Sequence, residues 1–222
     1  MKKLKYIAPV LIAVACFGLQ QAKADTVSFD LGFGNPAISG FPGPYAHVVV
    51  NRTSATTATI TFTSLTNSGN IYLMGGQGTV GVNVNATSWT TGSLSTSNGG
   101  TGFSSSQLAS AGAGNEDGFG SFNQTFDSFD GFTHSSDTVS FVLTNTSGTW
   151  GSASAVLIAN ASGFLAAAHI FVTASPANAS NGALATGFAA SGTPGVPDGG
   201  TTVMLLGAAL GALGMARRFL RI

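Results

Sequence analysis

The central part of this 222-residue chain is almost free of basic residues. Residues 25–195 contain no lysine and a single arginine, Arg52, against seven acidic residues, so their formal net charge is −6. The whole chain is neutral only because the other basic residues lie near its two ends. Proteins bind nucleic-acid phosphates mainly through lysine and arginine, so this composition excludes an ordinary nucleic-acid-binding surface. It also disfavours contact with anionic lipid headgroups.

Cysteine is nearly absent as well, since Cys16 is the only one in the chain. If the segment that holds it is removed, the remaining protein has no disulfide, no thiol nucleophile and no thiolate metal site. An alternative stays open at this point. Residues 13–16, Ala-Val-Ala-Cys, loosely resemble a lipobox, in which the cysteine is acylated, although the usual leucine three positions before the cysteine is missing.

Residues 1–24 have the parts of a secretory signal peptide. A lysine-rich start is followed by an apolar run over residues 6–19. Ala22 and Ala24 then satisfy the small-x-small rule of signal peptidase. We therefore predict that signal peptidase cuts between Ala24 and Asp25, and that Asp25 is the first residue of the mature protein.

Residues 201–222 combine an uncharged run with an arginine cluster. Residues 201–216 carry no charge, and a helix of that length spans about 24 Å against a hydrocarbon core of about 30 Å. Arg217, Arg218 and Arg221 follow, and arginines beside a span stay on the cytoplasmic side. We predict one transmembrane helix over residues 201–216 and a basic tail over residues 217–222. The alternative is an apolar core helix, but such helices normally show a polar face.

A proline- and glycine-containing motif precedes that run. It consists of Val196, Pro197, Asp198, Gly199 and Gly200. Together with the apolar run and the basic tail, this motif resembles the VPDGG-CTERM sorting signal, a variant of the PEP-CTERM signals that exosortases read. The resemblance covers residues 196–222. It implies that an exosortase, a transpeptidase-like membrane cysteine protease, cuts near the motif and releases or re-anchors the rest of the protein.

The same resemblance implies a location. Proteins with such tails are typically exported by Gram-negative bacteria that make extracellular polysaccharide. The inner membrane would then be a transient stop, and the cell surface or the extracellular matrix the destination. Residues 196–200 would be recognition residues and not catalytic residues.

Alternation of apolar and polar residues predicts an all-β fold for the exported part. A period of two is typical of half-buried strands, and turn-forming pairs such as Asn98-Gly99 separate the candidates. The candidate strands cover residues 27–31, 47–50, 56–63, 71–74, 80–84, 139–143, 155–158 and 170–173. Many short strands with frequent turns indicate an antiparallel β-sandwich or jelly-roll ectodomain over residues 25–174.

Two other segments are predicted from composition. Residues 104–110 form a candidate short helix. Residues 175–195 are rich in alanine, glycine, serine and proline, and we predict a flexible linker between the domain and the sorting signal.

Acidic residues suggest one candidate metal site. Glu116, Asp117, Asp127 and Asp130 lie close together in the sequence, and hard oxygen ligands suit calcium. Their spacing differs from an EF-hand loop, and Asp before Gly is ordinary turn chemistry. The same carboxylates could provide the acid and base of a glycosidase, which needs two carboxyls across a cleft. No other metal or cofactor is expected.

Histidines and aromatic residues give weaker candidates. His47, His134 and His169 are the only histidines, and the sequence has no G-x-S-x-G elbow to supply the serine of a catalytic triad. We predict structural roles for His47 and His169, which lie next to strand cores, and a polar turn at His134. Tyr45, Trp89, Trp150 and the phenylalanines of residues 119–132 could stack on sugars, or could simply fill a core.

The leading prediction is a non-enzymatic exported protein with a structural or adhesion role. Its expected partners are signal peptidase, an exosortase, the membrane through the C-terminal helix, and extracellular polysaccharide. The alternative is a carbohydrate-binding or carbohydrate-active module that uses the acidic and aromatic loop over residues 115–132.

Overall fold

The computed structural model describes residues 25–104, 107–128 and 131–191. The predicted signal peptide, the motif at residues 196–200, the apolar run at residues 201–216 and the basic tail lie outside the described residues, as does Asp130. Within the described ranges no helix has the length and apolarity needed to cross a bilayer.

The described part is built from β-strands and three short 3₁₀ segments. The strands are β1 Asp25–Gly34, β2 Ala46–Arg52, β3 Thr57–Ser64, β4 Thr66–Asn67, β5 Asn70–Met74, β6 Val80–Val82, β7 Trp89–Asn98, β8 Leu108–Glu116, β9 Gly120–Ser128, β10 Ser136–Asn145, β11 Ala166–Ala174 and β12 Ala185–Ser191. The 3₁₀ segments are Phe132–His134, Ala153–Ala155 and Ala179–Asn181. The prediction of an all-β protein is confirmed.

All twelve strands belong to one antiparallel sheet. Their order is β4-β5-β10-β3-β2-β1-β12-β11-β6-β9-β8, and β7 pairs with the other side of β10. Strand β5 pairs with both β10 and β11, so the sheet returns on itself around one interior. This arrangement is consistent with the predicted sandwich, because opposite halves of the sheet face each other across a shared core.

The core is filled by the apolar members of the alternating strands. Phe141 of β10 is fully buried and lies opposite Ile60 of β3 in the antiparallel register. Its ring centroid lies 4.3 Å from that of Phe126 on β9 and 6.4 Å from that of Phe62 on β3. Aromatic rings at such distances gain energy beyond simple burial, so this cluster ties β9 to the β3–β10 pair across the interior.

The tight turn between β4 and β5 follows from its residues. Ser68 and Gly69 have φ angles of +51° and +81°, and Asn67 pairs with Asn70 across the turn. Two consecutive positive φ angles are typical of the mirror-image turns that match the twist of a β-hairpin. Asn, Ser and Gly are residues that such turns favour.

Two local predictions are wrong. Residues 108–110 are not helical but begin strand β8, which pairs with β9 along its length. Residues 155–158 form no strand; only Leu157 makes an isolated bridge, to Val84, after the 3₁₀ segment Ala153–Ala155. Short apolar stretches carry too little periodicity to separate these states, and the neighbouring strand decides between them.

The linker prediction is wrong for residues 175–191. Strand β12, Ala185–Ser191, lies between β1 and β11 in the middle of the sheet. Ala189, Ala190 and Ser191 are completely buried. Small residues fit here because both faces of β12 are covered by other parts of the fold. The alanine, glycine and serine that suggested a linker therefore allow close packing of a central strand.

Candidate functional site

The last described residue lies a few positions before the motif at residues 196–200. Ser191 is the last described residue, five positions before Val196, and it pairs with Leu31 of β1. Its buried hydroxyl oxygen accepts hydrogen bonds from the backbone N–H groups of Leu165, at 2.9 Å, and Ala166, at 3.2 Å. These bonds tie Ser191 to the backbone at the start of β11.

An apolar cavity of about 190 Å³ is lined in part by Leu165, whose N–H donates to Ser191. In the described part, the pairing of β1 with β12 ends at Leu31 and Ser191, whereas the pairing of β1 with β2 continues to Asp25. Val27 and Phe29, in this part of β1, border the cavity. The cavity walls include Val27, Phe29 and Val50 on the side of β1 and β2, and Leu157, Ile158 and Leu165 on the opposite side.

Asp25, the predicted first residue of the mature protein, binds Ala153, which is one of the residues that line the cavity. One carboxylate oxygen of Asp25 accepts a hydrogen bond from Nε of Arg52 at 2.7 Å. The other accepts from the backbone N–H of Ala153 at 2.8 Å. Arg52 is 7% exposed, so this ion pair is partly shielded from water. The start of β1 is thereby tied to the segment that forms the opposite wall.

Glu116 is a buried carboxyl with unusual surroundings. It is completely buried, and neither of its carboxyl oxygens has a hydrogen-bond partner among the described residues. It packs against Gly78 and Gly81, where a Cβ atom would collide with it or lie 3.0 Å from its Oε1. Burial, and then the nearby charge of Asp127, raise the pKa of Glu116 to about 8. At neutral pH this side chain is therefore mostly protonated.

Only part of the candidate calcium cluster is brought together. Asp127 approaches the same loop as Glu116, since its Oδ1 accepts a hydrogen bond from the N–H of Gly78 at 2.8 Å. Asp117 instead points to Asn35, whose Nδ2 donates to its Oδ2 at 3.3 Å. Across residues 25–104, 107–128 and 131–191, no three histidine, cysteine or acidic residues converge as metal ligands would. A glycosidase role for the pair has no geometric support, because Glu116 is inaccessible to a substrate.

The three histidines lie on separate elements. Nδ1 of His47 lies 2.6 Å from the Asp30 carboxylate on the exposed side of β1 and β2. His169 on β11 contacts the hydroxyl of Thr186 through Nε2 at 2.7 Å, and burial lowers its pKa. His134 lies in the 3₁₀ segment Phe132–His134. This distribution suits structural roles on the sheet and its connections.

Most of the candidate sugar-stacking rings are core residues. Those that are at least 95% buried are Tyr45, Phe119, Phe122, Phe126 and Trp150. The polar atoms of the two larger side chains are satisfied internally: the Tyr45 hydroxyl donates to the carbonyl of Phe41, and Nε1 of Trp150 donates to the carbonyl of Asn85, both at 2.8 Å. The burial of these rings supports the alternative that they fill the core.

One comparison identifies the tail. Residues 195–219 match the family model of the VPDSG-CTERM motif, a PEP-CTERM-like exosortase sorting signal. The chain carries a VPDSG-CTERM sorting signal. In this sequence Gly199 stands where the name of the motif has serine. The comparisons with curated proteins and with solved structures find no match to the chain.

The VPDSG-CTERM signal implies export, a cell-surface or extracellular location and processing by an exosortase-type membrane enzyme. The match begins at residue 195, shortly after the buried end of β12 at Ser191. Sequence reasoning found the motif but missed this proximity, because alanine, glycine and serine gave β12 no alternation that would predict a strand.

Proposed function

We propose that this chain is a surface or extracellular-matrix protein of a Gram-negative bacterium with a structural or adhesion role and no catalytic activity. The observation that carries the proposal is the VPDSG-CTERM match over residues 195–219. The resemblance of residues 1–24 to a signal peptide supports it, since both ends then belong to one export route.

The order of events follows from the chemistry of the two ends. The signal peptide directs the chain across the inner membrane and is cut after Ala24. The apolar run over residues 201–216 halts in the bilayer because Arg217 and Arg218 remain on the cytoplasmic side. The exosortase-type protease then reads residues 196–200 outside the bilayer and removes the tail.

The chemistry of the folded part supports a role without catalysis. Glu116 is closed off from solvent, and the three histidines lie on separate elements. The acidic character of residues 25–195 suits a protein that stays soluble beside anionic polysaccharide and membranes. Binding of extracellular polysaccharide remains part of this proposal through polar surfaces and not through the buried rings.

A double substitution of the motif tests the proposal. Replacing Pro197 and Asp198 by alanine leaves the apolar run intact, so the chain should still insert but should escape cleavage. We expect the uncut form to accumulate in the inner membrane of the native host, seen by immunoblot of membrane, surface and medium fractions. A strain without its exosortase should show the same accumulation with the wild-type chain.

The matched control replaces Ser180 and Asn181 by alanine, since both lie in an exposed 3₁₀ segment outside the matched residues. That variant should be processed like the wild type. If the wild-type protein keeps its tail and the motif variant fractionates identically, the tail is a plain membrane anchor and the proposal fails.

A further inference from the structure

A polar pocket of about 420 Å³ shares no lining residue with the apolar cavity. Its described walls come from two segments, residues 84–87 and 145–149. The side chains that offer hydrogen bonds there are Asn85, Thr87, Asn145, Ser147 and Thr149. We propose that this pocket binds a stretch of a neutral, hydroxyl-rich glycan chain. The site would serve the polysaccharide binding of the proposed function, on which this inference rests.

The pairing of β7 with β10 brings the two segments together. Trp89, the first residue of β7, lies opposite Asn145, the last residue of β10. Residues 84–87 therefore approach the sheet where residues 146–149 leave it. Connections at the end of a β-structure are common binding sites, because the strands hold them in fixed positions.

Hydrogen bonds hold the two segments against each other. The backbone N–H of Ser88 donates to Oγ of Ser147 at 3.1 Å, and Nε1 of Trp150 donates to the carbonyl of Asn85 at 2.8 Å. In addition, Nδ2 of Asn85 donates to the carbonyl of Ala155 at 2.9 Å. A pocket with walls that are already fixed loses less conformational entropy when a ligand binds.

Asn145 gives the pocket a hydrogen-bond donor that the fold does not use. The residue is 6% exposed, and its Oδ1 accepts hydrogen bonds from the backbone N–H of Ser147 at 3.0 Å and from its Oγ at 3.2 Å. Because that N–H can only donate, Nδ2 is the amide atom left for a ligand. Within the described residues Nδ2 has no hydrogen-bond partner, yet it is not sealed from solvent. A few fixed polar groups of this kind orient a ligand in a pocket.

Thr87 and Thr149 add hydroxyl groups to the walls. Both residues are exposed, and neither hydroxyl makes a hydrogen bond elsewhere in the described part of the chain. A hydroxyl can donate one hydrogen bond and accept others. These two groups therefore match the hydroxyls of a sugar, which have the same capacity.

The lining favours an uncharged ligand. None of the described residues around the pocket is charged, so neither a phosphate nor a cation would find a counter-charge there. The walls also hold no aromatic ring, so binding would depend on hydrogen bonds, which a neutral glycan offers in number. The volume lies within the range of about 300–1,000 Å³ that small-molecule sites occupy.

Calorimetric titration of the full chain tests the site. The chain is purified in a detergent that carries no sugar, and the neutral probes are cellohexaose, maltohexaose, mannohexaose and chitohexaose. Hexagalacturonate is the anionic probe. We expect at least one neutral probe to bind and to slow amide hydrogen exchange at residues 84–88 and 145–150. Absence of binding by every neutral probe would overturn the proposal, and so would tighter binding of hexagalacturonate or protection confined to other residues.

Gly148 offers a substitution that fills the pocket without backbone strain. Its φ lies outside the left-handed region, and a Cβ atom there would meet only Nδ2 of Asn145, at 3.9 Å. Gly148→Leu should fold normally but weaken glycan binding on the order of tenfold, because the ligand loses hydrogen bonds to the wall. The matched control is Gly151→Leu, since Gly151 has nothing within 4 Å of its Cβ position and does not line the pocket. Equal affinities of the two variants would contradict the proposed site.

A second variant removes hydroxyls without adding bulk. Thr87→Ala combined with Thr149→Ala should weaken binding several-fold and leave thermal unfolding unchanged, because both side chains are exposed. Unchanged affinity in this double variant would count against the site even if Gly148→Leu failed to fold. None of these titrations depends on the exosortase, so a failed sorting experiment would leave their results intact. Failure of the titrations would in turn leave the sorting experiment intact.

Discussion

Glu116 shows how a single side chain can set the pH dependence of the whole fold. Its carboxyl lies between glycine backbone and the Asp127 carboxylate, with no described hydrogen-bond partner. A neutral acid tolerates that environment far better than a carboxylate does. The unfolded chain has no such restriction and ionises Glu116 near its ordinary pKa of 4.5.

Glu116→Gln should therefore stabilise the protein at neutral and alkaline pH. The folded-state pKa of about 8 exceeds the unfolded value of 4.5, so the folded state binds more protons in between. The free energy of unfolding should fall as pH rises from 4.5 to about 8, with a loss on the order of 3 kcal/mol by pH 7. The substitution should abolish that slope, as measured by urea unfolding between about pH 6.5 and 9.

The control for this prediction is the neighbouring Asp117→Asn, which removes an exposed acid from the same turn. It should leave the slope in place. An unchanged slope in Glu116→Gln would show that Glu116 does not hold the proton responsible, and a cation bound by Glu116 and Asp127 would then be the next hypothesis to test.

A second residue-level prediction compares two acids on strand β1. Asp25→Asn should lower the free energy of unfolding by about 2 kcal/mol, because it weakens the bonds to the largely buried Arg52 and to the N–H of Ala153. Asp30→Asn should cost less than about 1 kcal/mol, because its partner His47 and its own side chain are both widely exposed. Chemical unfolding of the two variants checks both values, and equal losses would contradict the argument.

At the scale of elements, β12 differs most from the prediction, because a linker was expected there. Its residues resemble a linker in composition, yet it joins β1 to β11 and thereby connects the two ends of the described chain within one sheet. A similar point holds for β8. Leu108–Glu116 consists largely of exposed alanine, glycine and serine, and its strand conformation follows from pairing with β9.

The placement of β12 gives a direct test. The chain of residues 25–174, which ends where the predicted linker began, should fail to fold, because β1 and β11 would each lose a central neighbour. The chain of residues 25–191 should fold cooperatively. Circular dichroism and thermal unfolding distinguish the two. Cooperative folding of the shorter chain would show that β12 is dispensable and would restore the interpretation of residues 175–191 as a linker.

At the scale of the whole molecule, the residue that follows the predicted cleavage point, Asp25, already lies in strand β1. Asp25 begins β1 and already has two partners, so little chain is left between the predicted cut and the sheet. We predict that N-terminal sequencing of the protein from its native host finds Asp25 as the first residue. An acylated Cys16 would contradict this and identify a lipoprotein instead.

The sequence alone determined the features that depend on local order along the chain. The VPDSG-CTERM signal is read from linear spacing, and the strands of β1, β2, β3 and β10 follow from alternation that places every second side chain inward. The turn at Ser68 and Gly69 likewise depends on the residues that tolerate positive φ. A linear pattern suffices for each of these because the physical cause lies within a few neighbouring residues.

Only the tertiary structure decided which small-residue segments are strands and what surrounds the acidic and aromatic side chains. Strand β12 is specified by β1 and β11, which are separate elements earlier in the chain, and the pKa of Glu116 is raised by burial against a loop that connects β5 and β6. The apolar cavity is lined by β1, β2 and residues 153–165, which are far apart in the sequence. These features depend on contacts between segments that are far apart in the sequence. The local pattern of apolar and polar residues therefore does not predict them.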